Sequence, residues 1–448
     1  MQEFNEKVLK YLEEREFPKL GVLLKEMNPA DVAELYEELP EESMALVFRL
    51  LPKELAADAF AYMDPDVQEV LVEKFSDREL SYVINELYLD DAVDMIEEMP
   101  ANLVHRILKN LDKEMRDSIN QILNYPKDSA GSIMTMEYVD LRRGMTVSEA
   151  FDRIREIGVE KETIYTCYVT DSRRKLKGIV TVKGLLLAPK DALIRDIMET
   201  NIVHVTTQTD KEEVAALFDK YDFLAVPVVD NERRLVGIVT IDDAIDVIQE
   251  EATEDIEMMA AITPTDRPYM KTGVIETWKK RVPWLLLLML SATLTGSIIN
   301  SFEDALAATV VLTGFIPMLM GTGGNAAGQS SVSIIRGLSL GEIEYRDVPM
   351  IIWKEFRVAL LCGFSLAVVN FAKLMLIDRL SVEVALVVCI TIVMTVLMAK
   401  VVGCSLPVLA KRVGFDPAVM ANPFITTIVD ALSLLIYFRI ACAILHIG

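Results

Sequence analysis

Histidine and cysteine are scarce in this 448-residue chain, which has three of one and five of the other. His105, His204 and His446 lie far apart, so an imidazole-based zinc or redox centre is not expected. Cys167, Cys362, Cys389, Cys404 and Cys442 are odd in number and form no CxxC, which excludes a disulfide framework and a zinc knuckle. Four of them sit in apolar segments, where cysteine acts as a small hydrophobe. No GxxxxGK[ST] occurs, and the second half has neither HExxH nor GxSxG, so ATPase, zincin and serine-hydrolase signatures are missing. A basic surplus is missing too. Lys and Arg number 45 against 68 Asp and Glu, a net charge of −23, which argues against a nucleic-acid surface. The opening MQEFNEKVLKYLEEREF has no apolar core of a signal peptide, so the segment after it is expected to stay in the reducing cytoplasm.

The charge is unevenly divided. Residues 282–448 carry ten basic and ten acidic residues, leaving 35 of the 45 basic and 58 of the 68 acidic residues to the first 281. An acidic soluble part therefore precedes a neutral, apolar one. The latter holds five runs long enough to span a bilayer, at 282–302, 307–336, 353–377, 384–410 and 418–446. Basic residues cluster before the first run (Lys279, Lys280, Arg281), between the second and third, and between the fourth and fifth (Lys411, Arg412). That bias predicts cytoplasmic N-terminal domains and an external C-terminus.

The expected fold class is multidomain, with boundaries at 1–128, 129–250, 251–281 and 282–448. Residues 1–128 read as short helices punctuated by Pro29, Pro40, Pro52 and Pro65. Proline suits a first helical turn and not an interior. The result is either a superhelical all-α stack or a plain bundle. Residues 129–250 alternate helix and strand twice, with GIVT at Gly178–Thr181 and again at Gly237–Thr240. This resembles a tandem pair of CBS domains, an α/β Bateman module that often senses nucleotides. The adenosine-binding pattern of that family is matched by Gly237, Thr240 and Asp243. In the first copy Gly184 stands where the acid would be.

An acidic helix follows. Asp242, Asp246, Glu250 and Glu254 recur at every fourth position, flanked by Asp243, Glu251 and Asp255, and no Lys or Arg occurs between Asp242 and Asp266. Like charges four apart cost a helix roughly 0.2–0.5 kcal/mol per pair. Water screens this face, or hard divalent cations neutralise it.

Three features of the membrane part bear chemistry. Asp430 lies mid-span in NPFITTIVDALSLLIYF, where a charge costs about 2.5–3.5 kcal/mol even on lenient scales. It either binds a passing ion or makes a structural bond, for which Arg439 and Lys400 are the available cations. Asn422, Thr426 and Asp430 recur at intervals of four and form a polar stripe, read here as a pore lining. The segment MGTGGNAAGQSS (Met320–Ser331), with Gly323, Gly324 and Asn325, either loosens the backbone beside a passage or packs helices closely.

The helical N domain, CBS pair, acidic helix and five spans with GTGGN…GQS and NPFITTIVD together resemble the MgtE family of magnesium channels and transporters, over essentially the full chain. The resemblance implies a homodimeric, α-helical five-span membrane domain with the passage on its two-fold axis. It implies permeant Mg²⁺ at Asp430 with Asn422 nearby, and regulatory Mg²⁺ between the cytosolic domains that holds the channel closed. By motif, the regulatory acids would be Asp58, Asp90, Asp91 and Asp94 in the N domain, and Asp210, Glu212 and Asp222 in the second CBS copy. Asp243, Asp246, Glu251, Glu254 and Asp255 would serve beyond it. The segment from about Pro264 to Arg281 would be a plug helix. No enzyme activity is implied; ATP at the CBS pair would be a modulator. Two rivals stand beside this reading: a proton-coupled carrier with Asp430 as relay, and a nucleotide-sensing membrane protein regulated by the CBS pair.

Overall fold

Prolines and acidic caps set the first part of the chain. In the computed structural model, which describes residues 2–265, 269–419 and 422–446, ten helices run from α1 (Gln2–Glu13) to α10 (Lys113–Ile122). Pro29 and Pro65 occupy the first turn of their helices, and Pro40, Pro52 and Pro100 stand at N-caps. There the missing N–H is harmless. Each helix in the middle of the run packs on the next but one, as in α5 (Lys53–Ala61) on the seventh helix and α8 (Leu89–Glu98) on the sixth and tenth. This two-layered stepping is the superhelical stack rather than the bundle. Phe48, Phe60 and Phe75 meet in its core, with ring centroids 4.8–6.2 Å apart.

Two small sheets follow, built alike. In the first, β1 (Tyr138–Arg142) runs parallel to β2 (Thr163–Thr170), which pairs antiparallel with β3 (Leu176–Thr181). In the second, β4 (Val205–Thr206), β5 (Ala225–Val229) and β6 (Leu235–Thr240) repeat that order. Helix α11 (Val147–Ile157) precedes β2, α12 (Val182–Leu187) and α13 (Ile194–Ile197) follow β3, and α14 (Lys211–Tyr221) precedes β5. The GIVT glycines have one physical reason: close backbone approach. A Cβ on Gly178 would stand 3.0 Å from the Glu199 carbonyl, and one on Gly237 would stand 2.7 Å from that of Thr135. The short parallel strands β1 and β4 carry no repeat of their own, and periodicity does not find them.

Helix α15 (Ile241–Met259) is the expected acidic helix. Two compact units divide within it, residues 1–248 and 249–448.

The second unit contains α16 (Val274–Ser301), α17 (Glu303–Ala308), a 3₁₀ segment (Val310–Phe315), α18 (Ile316–Ser339), α19 (Val348–Leu376), α20 (Val382–Val413) and α21 (Asn422–Leu445). Five spans are long and apolar enough to cross a membrane. Two expectations change here, and one open alternative closes. The plug segment and first span are a single helix from Val274, because Pro283 sits inside α16 without ending it. Residues 266–268 of the expected plug fall outside the described residues. The second span is not one helix from 307. Thr309 leaves helical geometry at φ −142°, and α18 starts afresh with Pro317 in its first turn. Met320–Ser331 is helical throughout, so its glycines do not break the backbone, and Gly323 and Gly324 serve close packing.

Candidate functional site

In the first unit, α8 presents Asp90, Asp91 and Asp94, the start of α15 presents Asp242, Asp243 and Asp246, and α5 presents Asp58 to one cavity of about 1580 Å³. Fourteen carboxylates line it against one lysine, Lys161. The fold thus brings together six of the expected acids, Asp58, Asp90, Asp91, Asp94, Asp243 and Asp246. It adds Glu162, which no motif pointed to. Glu162 stands just before β2, far in sequence from α8 and α15, and only the tertiary fold places it there.

The electrostatics of this cavity follow from burial among like charges. Asp90 is 8% exposed. One of its oxygens accepts the Asp91 N–H at 3.1 Å, and its carboxyl is held well above the ordinary range by burial and then by Asp243, Glu162 and Asp91. Burial and then Asp242 and Asp58 raise Asp91 to about 6. Glu162 is raised to about 8 by burial and then by Asp242, Asp91, Asp243 and Glu137. One oxygen, Oε2, is buried without a hydrogen-bond partner. Asp243 is also raised, chiefly by burial, although the Thr240 hydroxyl donates to its Oδ2 at 2.7 Å and offsets part of the effect. That hydroxyl–carboxyl pair is the motif pair of the second CBS copy. In the first copy the Thr181 hydroxyl instead accepts the Gly184 N–H at 3.1 Å and caps α12.

An uncompensated set of buried carboxylates is a poor structure and a good receptor. Each desolvated like charge weakens its neighbours' ionised form, and a divalent cation reverses the sign of all these effects at once. Among the described residues no three Asp, Glu, His or Cys side chains converge tightly enough to ligate an ion by themselves. The residues nonetheless fit Mg²⁺, which keeps several of its waters and needs only one or two direct carboxylates.

The other expected acids lie elsewhere. Asp210 caps α14, its Oδ1 accepting the Glu212 N–H at 2.9 Å. Asp222 ends that helix in the left-handed region at φ 53°. Glu251, Glu254 and Asp255 belong to the second unit. There the Ser339 hydroxyl donates to Asp255 Oδ2 at 3.0 Å. Burial raises the Asp255 carboxyl, and Asp416 and Glu251 add to it. Asp416, a loop acid after α20, was not singled out from sequence.

In the membrane part, α18 lies against α20 and α21 at its glycines. A Cβ on Gly323 would stand 2.9 Å from Ser433 Oγ, 2.9 Å from Thr395 Cγ2 and 3.0 Å from Val429 Cγ1. A Cβ on Gly324 would stand 3.3 Å from Thr426 Cγ2. The glycine face of the second span is therefore seated on the fifth, beside Asp430. Asn325 is exposed on the opposite side of α18. The Asn422 side chain falls outside the described residues. Lys400, considered from sequence as a partner for Asp430, pairs instead with Glu355 at 3.6 Å.

Comparison with known proteins places each piece. Residues 316–440 match the MgtE divalent cation transporter family, residues 27–128 the MgtE intracellular N domain, and residues 130–191 and 194–250 the CBS domain. The chain is similar to magnesium transporter MgtE of Thermus thermophilus, 38% identical over 97% of either chain. It is similar to magnesium transporter MgtE of Bacillus subtilis, 33% identical over 95% of this chain and 93% of that one. Among solved structures, it resembles the cytosolic domain of the Mg²⁺ channel MgtE in complex with ATP, with a TM-score of 0.52 at 37% identity over 54% of this chain and 99% of that one. The soluble part of a magnesium transporter gives a TM-score of 0.53 at 30% identity, over 56% and 99%.

Proposed function

The chain belongs to the MgtE family, and from that premise we propose that it is a Mg²⁺ channel whose own cargo closes it. The observation that carries the reading is the cavity with fourteen carboxylates and one lysine, in which Glu162 keeps a buried oxygen without a partner. When internal Mg²⁺ is low, these acids repel and the compact arrangement is disfavoured. When it is high, the cation binds the compact form better and shifts the population towards it. The acids that would hold this regulatory Mg²⁺ are Asp90, Asp91, Glu162 and Asp243, with Asp58 and Asp246 at the cavity wall. Glu251, Glu254 and Asp255, with Asp416, would form a second acidic station; Asp210, Glu212 and Asp222 remain candidates for a surface shared with a second copy.

The cargo path is proposed along α21, with Asp430 holding the hydrated dication and Thr426 and Asn422 lining its approach. In a homodimer two such carboxylates would face one axis and require a cation between them. An oxygen lining without Cys or His favours a hard ion. The membrane potential supplies the drive, roughly 4.6 kcal/mol for two charges across 100 mV. The N-terminal domains are read as cytoplasmic and the C-terminus as external, which an odd number of spans requires.

Flux into vesicles tests the cargo path. Asp430→Asn keeps the shape and removes the charge; Mg²⁺ flux per folded molecule should fall at least tenfold. Flux at the wild-type level would refute the assignment. Wild-type flux that requires an opposing proton gradient, and loses that coupling in Asp430→Asn, would favour the carrier. A second reading rests on the Thr240–Asp243 pair and on ATP in the related cytosolic domain. ATP bound there would adjust the Mg²⁺ sensitivity, and no change in that sensitivity with ATP would remove the idea.

A further inference from the structure

Three spans meet at a buried ionic cluster. Ser330 of α18 donates to Glu355 Oε2 of α19 at 2.6 Å. Lys400 of α20 donates to Ser330 Oγ at 3.2 Å, and its ammonium stands 3.6 Å from the same Glu355 oxygen. The Lys400 and Glu355 side chains are 6% and 15% exposed, so the cluster faces the protein interior and not lipid. The cluster is neutral, and each member completes the other two.

Such a pair is a poor source of stability, because apolar residues of the same volume usually do as well or better. What it does fix is register. A one-residue slip of α18 moves Ser330 by about 1.5 Å and turns it by roughly 100°, breaking both of its bonds. Two further contacts join the same two helices. Gly403 of α20 has no room for a Cβ because the Ala327 carbonyl lies against it, and Lys411 donates to the Leu338 carbonyl at 3.1 Å. The pairs 323 with 395, 327 with 403 and 338 with 411 advance together, so α18 and α20 run in the same direction. Seven residues before Ser330, two turns along the same face, is Gly323, the residue seated on Val429 and Ser433. Those two flank Asp430 in α21.

We propose that Ser330, Glu355 and Lys400 are positioning residues for transport: they lock the axial register of the second span, which seats the fifth span and sets the affinity of the passage for its dication. This deepens the proposed function and rests on its assignment of Asp430 to the path. The test uses the full chain in vesicles, reading initial Mg²⁺ flux against external Mg²⁺, with the melting midpoint of each variant. Ser330→Ala removes the shared hydroxyl and keeps both charges. Lys400→Met with Glu355→Met removes the pair and keeps the volume. Lys400→Glu with Glu355→Lys restores a reversed pair.

A misplacement of about 1 Å costs a well-oriented site on the order of 100-fold, so a partial slip should raise the half-saturating Mg²⁺ roughly tenfold in the first two variants. The reversed pair should bring it back towards the wild type. A purely packing role would change the amount of folded protein and the maximal flux per milligram, and leave half-saturation where it was. An unchanged or lowered half-saturation in Ser330→Ala overturns the proposal, and that variant decides alone if the double methionine variant does not fold. Asp430→Asn in the same vesicles separates the two claims. If its flux is normal, the path assignment has failed; if its flux is lost and Ser330→Ala saturates normally, only the register proposal has.

Discussion

The two units bury charge in opposite ways. In the first, Asp90, Asp91, Asp243 and Glu162 are gathered where every charge that acts strongly on them is negative. In the second, Lys400 and Glu355 are gathered with a hydroxyl that bonds to both. A balanced cluster is complete within the chain and can hold a structure in place. An unbalanced one is complete only with a cation, and its stability reports the concentration of that cation. On the proposed reading, the first serves sensing and the second scaffolding.

The strongest way to break the contrast is to unbalance the second cluster. Lys400→Met alone leaves the Glu355 carboxyl buried without its counter-ion, and should destabilise the membrane part by about 3–5 kcal/mol, seen as lost folded protein and a lowered melting midpoint. Removing both charges should recover most of this. If the single and double variants melt alike, the cluster is not the balanced pair described here.

The next test balances the first cluster from outside. Mg²⁺ at about 100 times its dissociation constant should stabilise the compact first unit by roughly 2.7 kcal/mol. Hydrogen exchange should then slow in α8 and at the start of α15. Equal exchange with and without Mg²⁺ would return these acids to a solvated face.

Protons should partly mimic the cation. A carboxyl whose folded value lies above its unfolded one holds a proton that the unfolded chain has released. Without Mg²⁺, the first unit should therefore lose stability as the pH rises from about 5 to 8, the window opened by Asp91 near 6 and Glu162 near 8. After allowance for screening at these half-buried groups, the change attributable to Glu162 is about 1–2 kcal/mol. Saturating Mg²⁺ should flatten the slope, because the bound cation favours the ionised form. A slope of the opposite sign would contradict the like-charge account.

The smallest effect sharpens the role of one residue. Glu162→Gln should stabilise the Mg²⁺-free unit by about 1 kcal/mol at neutral pH, because glutamine is buried without first taking up a proton, and should shift the response to higher Mg²⁺. Stability that falls in the absence of Mg²⁺ would give Glu162 a structural role instead.

Much of this contrast is legible in the sequence, but unevenly. The five spans, the proline-phased helices, the doubled GIVT strands and the acidic stripe of α15 follow from local pattern, because each depends on neighbours in the chain, whereas the acids of α8 enter only through the family resemblance. Glu162 is not legible. Its meaning comes from Asp91 and Asp243, which α8 and α15 bring to it across long loops. Glu355 is hidden for the same reason: Lys400 is conspicuous as the lone charge of its run, but its partner lies one helix back. The glycines of Met320–Ser331 are visible as a feature and ambiguous as a mechanism. Only the seats of Gly323 on Ser433 and of Gly324 on Thr426 select helix packing over a broken backbone. The continuity of α16 across Arg281 likewise escapes a reading that sets the start of the span by its last charge.

On the proposed reading, the unbalanced cluster senses the cargo and closes the path. Currents from membrane patches carrying the full chain test it most directly. Mg²⁺ would serve as the permeant ion, and the cytosolic face would be stepped from micromolar to roughly 10 mM Mg²⁺, a span that covers weak carboxylate sites. The account predicts that wild-type openings fall reversibly as internal Mg²⁺ rises, and that Asp91→Asn with Glu162→Gln and Asp243→Asn keeps the channel open at the high end. Wild-type openings that do not change over that range would contradict it.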